Sequence, residues 1–244
     1  VHPESVEQAQ AHFRGSFGRT GPPPPGRLLG SGRRADVYAL EEGWVLRRER
    51  EGGGDAAGEG AVMEHVHAHG YPVPRVRPSG SRTDLVMERL SGPTMLQACL
   101  AGTLDVTEAG SVLARLLRHL HAIPALRSTD PADRVLHLDL HPENVILTPD
   151  GPRVIDWSNT EEGDPALDWA ASAVILAQAA VGGDHLSSPA RIMLTALLAD
   201  ASPLTRPALT EALRRRSADP AMSRVEVELL GQAEELVLSQ GRTR

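Results

Sequence analysis

Lysine is absent from this chain: all 25 of its basic residues are arginine. Any mechanism that depends on a lysine is therefore closed to it. A single cysteine, Cys99, excludes an internal disulfide framework and cannot form a zinc site alone, so a small core residue is expected there. No apolar run approaches the roughly 18 to 20 residues that span a bilayer. The opening "VHPESVEQAQ" also lacks the charged and apolar regions of a signal peptide. A cytoplasmic protein without a membrane partner is the expectation. Positive charge is scarce too: the formal net charge is −7 and the arginines are dispersed. That balance argues against a nucleic-acid partner, whose phosphates need clustered positive charge. The longest arginine run, residues 214–216, reads as a solvated helix face.

What is present is ample core material. With 244 residues and 41% hydrophobic content, the chain can build one large domain or two small lobes. Residues 1–15 have the pattern of a short helix, and "TGPPPPG" at 20–26 is a stiff entry to the folded region. Residues 27–48 read as two strands around a turn, because β-branched and aromatic residues alternate with polar ones. "REREGGGDAAGEG" follows as a flexible loop. Helical spacing over 59–69 ends at Gly70, a suitable C′ residue, and a strand is expected at 84–89. Beyond about residues 88–92 the character changes. Helical patterns cover the stretch stopped by Pro124, then 165–180, 189–200, 207–217 and 221–239. A strand-rich first part and a helix-rich second part imply a cleft between them.

The stretch "HLDLHPENVIL", residues 137–147, admits two chemical readings. Either His137, Asp139 and His141 are three metal ligands on one face, as in a metallohydrolase, or Asp139 is a catalytic carboxylate with Asn144 as its helper. The adjoining segment favours the second. "NVILTPDGPRVIDW" is two short apolar runs joined by a turn of hairpin type, with Pro second and Gly fourth. An antiparallel hairpin lays the start of one strand beside the end of the other, so Asn144 is expected next to Asp156. Two oxygen ligands of this kind suit magnesium, which completes its shell with water and phosphate oxygens, better than zinc. Upstream, "GSGRRADV" at 30–37 is a glycine-rich turn that leads into an alternating, hairpin-like stretch instead of a helix. Its backbone N–H groups can approach phosphates.

These elements in this order resemble the protein-kinase-like fold, and most closely the aminoglycoside phosphotransferase family of small-molecule kinases. "HLDLHPENVIL" is similar to that family's catalytic loop, "VIDW" to its metal-binding segment, and "GDPALDWA" at 163–170 to the stretch C-terminal to that segment. The resemblance implies an α+β, bilobal fold: a small N-terminal nucleotide-binding lobe (1–90) with an antiparallel sheet and one main helix, and a larger, mostly helical catalytic and substrate-binding lobe (91–244). It implies that Asp139 accepts or orients the proton of a substrate hydroxyl, while Asn144 and Asp156 hold Mg2+ on the phosphates of ATP, with GTP left open as donor. His137, His141 and Asp168 would support the catalytic loop.

At the nucleotide end, Gly30, Ser31, Gly32 and Val37 would cover the phosphates and Val45 would lie under the adenine. The base would dock near Glu88, Arg89 and Leu90, with Met87 at the back. Glu59 falls where the family's helix glutamate pairs with a strand lysine; that strand position is Arg47 here, a departure from the family pattern. Glu161 and Glu162, beside the proposed centre, would welcome a cationic acceptor such as an aminoglycoside or another cationic antibiotic. The helices after residue 185 would form the far wall of the acceptor site. The expected partner is thus a hydroxyl-bearing small molecule, and the expected assembly a monomer or weak homodimer. A catalytically weak or inactive nucleotide-binding relative stays open because of Arg47. A protein kinase does not fit, because few residues separate Asp156 from "GDPALDWA".

Overall fold

A computed structural model of the chain describes residues 26–31, 35–50, 55–199, 203–220 and 222–241. Gly32, the expected helix at 1–15 and nearly all of the proline-rich stretch lie outside the described residues.

The alternating stretches form one five-stranded antiparallel sheet: β1 (Leu28–Ser31), β2 (Ala35–Ala39), β3 (Trp44–Glu49), β4 (Val76–Arg77) and β5 (Asp84–Glu88), in the order β1-β2-β3-β5-β4. The glycine-rich segment is therefore two paired strands with a register shift between Leu28 and Gly30, not part of one strand. Helix α1 (Ala56–Ala68) lies against this sheet and buries Ala56, Glu59, Val62, Met63 and Val66, three and four positions apart. It begins a turn earlier than its apolar spacing suggests, because the Asp55 side chain caps it by accepting the Gly58 N–H at 3.1 Å. The flexible loop expected at 48–60 is thus replaced at both ends by β3 and α1. Gly70, at φ 80°, follows the helix in the left-handed region.

The chain then crosses to its helical part along the first strand of a hairpin, β7 (Val145–Thr148) and β8 (Gly151–Val154). Gly92 is obligatory at this crossing: its φ is 147°, and a Cβ there would meet the Leu147 carbonyl oxygen at 2.0 Å. The Leu147 N–H donates to the Pro93 carbonyl at 2.9 Å, so crossover and hairpin are fastened together. Helices α2 (Met95–Leu100), α3 (Val106–Leu120), α4 (Pro165–Val181), α5 (Ser187–Leu197) and α6 (Arg206–Ser217) follow the sequence pattern closely, with α2 an addition. The helix expected over 221–239 is instead two, α7 (Arg224–Glu228) and α8 (Leu230–Gly241), separated by the turn residue Leu229. Two three-residue strands, β6 (Arg134–Leu136) and β9 (Glu161–Gly163), pair antiparallel and flank the hairpin in sequence.

Helix α4 is the centre of the helical part, packing on α5, α6 and α8 while α3 packs on α5. Trp157, Trp169, Leu113, Leu117, Leu140 and Met193 are among its fully buried side chains, and the buried core is continuous from α1 to α8. Among the described residues no helix is long and apolar enough to cross a membrane. The architecture is α+β, an antiparallel N-terminal sheet followed by a helical region.

The α3–α5 crossing is close because Gly110 has no side chain; a Cβ there would lie 2.5 Å from the Met193 carbonyl oxygen and 2.7 Å from the Ala196 Cβ. An ordinary mid-helix glycine gains about 1 kcal/mol when changed to alanine. Here the overpacking term dominates, and Gly110→Ala is expected to lose about 1–3 kcal/mol in urea unfolding. A stabilised variant would show that the crossing can relax.

Candidate active site

The loop from His137 to His141 leaves β6 and is held from below by one carboxylate. Asp168, in the first turn of α4 and fully buried, accepts the His137 N–H at 2.9 Å and the Leu138 N–H at 2.7 Å, and contacts His121 Nε2 at 3.0 Å. Burial alone would raise its pKa. The bond and charge of His121, with the charge and N–H of His137, more than offset this and hold the carboxyl below its usual range. Leu138 sits at φ 62°, a left-handed conformation that an L residue with a bulky side chain adopts only under constraint. The two N–H bonds to Asp168 are that constraint, and they aim the following residue, Asp139, into the cleft.

His137 is fully buried against Trp157, with its Nε2 3.1 Å from the Ile155 carbonyl and its Nδ1 3.3 Å from the Asp139 N–H. Both ring nitrogens are therefore spent on backbone. His141 accepts the Glu143 N–H through Nδ1 at 3.4 Å, and its Nε2 is 3.8 Å from Asp139 Oδ1. Burial drives its pKa down to about 4, so it is neutral at physiological pH. These contacts remove the three-ligand reading of the H-x-D-x-H stretch. Among the described residues no group of three or more His, Cys, Asp or Glu is arranged to hold a metal ion.

Asp139 is partly buried, and desolvation lifts its carboxyl above the usual range. The Asp156 charge adds to the rise; His137, Arg216 and the Asn144 amide oppose it. The Asn144 Nδ2 donates to the Asp139 carbonyl at 2.9 Å and to its Oδ2 at 3.3 Å. This leaves Asn144 Oδ1 without a hydrogen bond among the described residues. Asn144 ends a 3-10 turn (Pro142–Asn144) instead of starting the strand, yet the hairpin still joins it to the far side: the Ile155 N–H donates to the Asn144 carbonyl at 2.9 Å. Asp156 follows at φ 62°, exposed, with one carboxylate oxygen accepting the Ser158 hydroxyl at 2.7 Å. An amide oxygen and a carboxylate with open acceptor positions, beside Asp139, form a hard-oxygen donor set that fits a partly hydrated Mg2+.

These side chains line one continuous cleft of about 1740 Å3. A single drug-sized ligand usually occupies a pocket of roughly 300–1,000 Å3, so there is room here for two. Toward the sheet the walls include Val37, Val45, Arg47, Met87, Glu88 and Leu90. Val45 and Arg47 share one face of β3 through its two-residue period. Arg47 donates through Nη1 to Glu49 at 2.9 Å and through Nη2 to Glu59, while its Nε is buried without a partner. Burial pushes Glu59 up to about 7, against the pull of Arg47 and with Asp156 and Glu49 adding to the rise. Gly30 is exposed, and the Ser31 hydroxyl bonds Asp36 at 2.5 Å, so neither is brought to the cleft wall. The Glu88 carboxylate is taken up by Arg75 at 3.3 Å.

At the opposite end the two glutamates part company. Successive residues of a strand face opposite ways, and both lie in β9. Glu161 faces the cleft and pairs with Arg215 at 2.8 Å. Glu162 points away, its carboxylate accepting the backbone N–H groups of Leu126, Arg127 and Ser128 at 2.6–3.0 Å. It holds a loop and, contrary to the sequence-based expectation, does not line the cleft where an acceptor would bind. The arginine run is also more than a solvated face: Arg214 is exposed, but Arg215 and Arg216 line the cleft. One turn of α6 carries them inward, a rotation that a run of identical residues hides.

The model of the APH phosphotransferase enzyme family matches residues 25–134 and 122–201 of the chain. No curated protein matches significantly. Among solved structures, the gentamicin complex of APH(2'')-IIa is 15% identical with a TM-score of 0.56, covering 100% of this chain and 97% of that one. A choline/ethanolamine kinase family protein from Mesorhizobium loti is 14% identical with a TM-score of 0.56, covering 98% and 99%. A thermostable mutant of APH(4)-Ia in ternary complex with AMP-PNP and hygromycin B is 16% identical with a TM-score of 0.55, covering 98% and 100%. At such identities these likenesses show a shared protein-kinase-like fold. The family match extends over well more than half of the sequence, and the chain belongs to the APH family of phosphotransferase enzymes.

Proposed function

We propose that this protein transfers the γ-phosphoryl group of ATP to a hydroxyl of a small molecule, with Mg2+ held by Asn144 and Asp156. The observation that carries this reading is the convergence of Asp139, Asn144 and Asp156 on one wall of a cleft roomy enough for two ligands. The relative in ternary complex with AMP-PNP and hygromycin B supports a cleft that holds a nucleotide and a second ligand together. On this reading the residues up to about 90 hold the nucleotide and those after it hold the acceptor. Magnesium would neutralise charge on the phosphates.

Transfer through a loose transition state asks the protein mainly for alignment and charge compensation. The acceptor O–H hydrogen-bonds to Asp139, whose Oδ1 has no hydrogen bond among the described residues. As the acceptor oxygen forms its bond to Pγ and the bridging P–O bond breaks, the proton passes to the carboxylate and ADP leaves. Asn144 keeps the carboxylate turned toward the acceptor, and Asp168 keeps the whole loop in place. Arg47 lines the half of the cleft toward the sheet, where whatever charge Glu49 and Glu59 leave uncompensated would act on the phosphates. GTP fits the same chemistry.

Support for a polycationic acceptor is weaker than the sequence suggested, because Glu161 is neutralised by Arg215 and Glu162 faces away. A second reading, a nucleotide-binding relative with little activity, is favoured by one observation: both terminal nitrogens of Arg47 are already engaged by carboxylates.

A screen of hydroxylated metabolites and antibiotics for ATP- and Mg2+-dependent phosphorylation, read by mass spectrometry, tests the main reading. Asp139→Asn is expected to lower kcat about 10²- to 10⁴-fold with ATP binding retained. Turnover equal to wild type would refute the assignment. Asp156→Asn is expected to weaken ATP binding only when Mg2+ is present, as calorimetry with and without EDTA will show. Asp139 must be ionised to accept a proton. Its raised pKa therefore places the acid limb of kcat/KM above the ordinary aspartate value of about 3.9; a profile flat down to pH 4 contradicts this. Arg47→Lys is expected to keep turnover within about tenfold, since the charge survives while the fork is lost. Turnover that appears only in that variant would favour the second reading.

A further inference from the structure

The end of the cleft away from the sheet combines an apolar wall with an arginine that makes no ion pair among the described residues. On α4, Leu167, Ala171 and Ile175 are four positions apart, partly exposed, and line the cleft. Leu229 continues the surface, with the buried Met193 of α5 behind it. Removing a partly exposed apolar stripe from water favours binding of a ligand that covers it. The body of the acceptor that belongs there is accordingly apolar.

At the edge of this wall stands Arg216. Its Nε donates to Gln178 Oε1 at 3.1 Å, and Gln178 is itself buried and fixed by donating to the Glu226 carbonyl at 2.7 Å. Among the described residues, Arg216 makes no ion pair, and its two terminal amino groups have no hydrogen bond. A guanidinium tied down at Nε and open at both Nη atoms is a preformed fork for a carboxylate. Arg216 lines the same cleft as Asp139 and His141.

Three carboxylates of the cleft are engaged elsewhere. Glu161 pairs with Arg215, Asp184 caps a turn by accepting the Leu186 N–H at 2.8 Å, and Glu226 closes a capping box on the Ser223 N–H at 2.8 Å. Asp219 also lines the cleft and has an interaction of its own. None of these geometries supplies a counter-ion to Arg216. An acceptor with a carboxylate would meet in Arg216 a guanidinium whose terminal nitrogens have no hydrogen bond among the described residues.

We propose that the acceptor is a hydroxylated molecule with an apolar body and a carboxylate, and that Arg216, positioned by Gln178, binds that carboxylate. This rests on the phosphotransferase reading for the identity of the pocket, and it makes Arg216 a specificity-determining residue, not a member of the proton-transfer apparatus.

Three probes with one body and different heads test it: ω-hydroxyoctanoate, octanediol and ω-aminooctanol. Their binding to the full chain is measured by calorimetry or ligand-observed NMR, with no nucleotide, so that no phosphate transfer is required. The carboxylate probe is expected to bind at least tenfold more tightly than the ammonium probe. In Arg216→Gln that preference should fall at least tenfold, while Arg214→Gln, on the exposed face of the same turn, should keep it. Thermal unfolding of both variants identifies any loss of fold. Should Arg216→Gln not fold, Gln178→Leu, which frees the guanidinium from its anchor, should reduce the preference instead. Equal binding of the three probes, no binding of any, or a preference that survives both variants overturns the proposal. The expected order of binding without phosphorylation by ATP and Mg2+ supports the pocket assignment and counts against the phosphotransferase reading, so the two stand or fall separately.

Discussion

A single buried carboxylate, Asp168, sets the geometry on which everything in the cleft depends. Removing a charge from water is costly, and the cost is met only when its oxygens are fully hydrogen-bonded. Here the partners are two successive backbone N–H groups and His121. Two adjacent N–H groups can converge on one carboxylate only if the backbone between them turns sharply, and Leu138 at φ 62° is that turn. A left-handed leucine costs roughly 1–2 kcal/mol, the order of one or two charge-assisted hydrogen bonds. The strain is therefore sustained only while Asp168 is ionised and in place. The same turn brings the Asp139 N–H onto the His137 ring, whose other nitrogen reaches the backbone just before Asp156. One ring thus spans the two segments that carry the proposed chemistry.

The end of the cleft toward the sheet rests on a different compromise. Arg47 and Glu59 are both largely buried, and a buried ion pair loses about 3–5 kcal/mol when one partner alone is removed. The fork of an arginine reaches Glu49 as well as Glu59, which a lysine ammonium on a single stem does less well. Against this, the Nε has no partner and two carboxylates draw the charge away from the cleft. Arginine is thus compatible with the fold at this position, at the cost of some of the positive charge facing the cleft.

Much of this was legible in the sequence where the local rules are strong. Pro149 and Gly151 mark the hairpin, and the hairpin alone brings Asn144 near Asp156, because antiparallel pairing is a statement about register. Helices with clear apolar spacing and a cap or proline at their ends were found to within a few residues. What was hidden is short or context-dependent. Strands β6 and β9 have three residues each, too few to show alternation, and without β9 the opposite directions of Glu161 and Glu162 could not be seen. The early start of α1 depends on an aspartate in a glycine-rich run, where composition suggests a loop. In the arginine run at 214–216, helix phase separates three identical residues by about 100° each, and composition carries no trace of which one turns inward.

Helix α4 joins the two halves of the site. Asp168 lies in its first turn and Gln178 near its far end, ten positions on, or roughly 15 Å along the axis. The helix is buried against α5, α6 and α8 along most of its length, so this separation is as rigid as anything in the molecule. One end fixes the loop that presents Asp139, the other fixes the guanidinium of Arg216, and the apolar stripe between them is the span over which an acceptor would have to lie. A long, well-packed helix therefore acts as a ruler. It sets the distance between Asp168 and Gln178, and neither end can move without disturbing the core that holds the other.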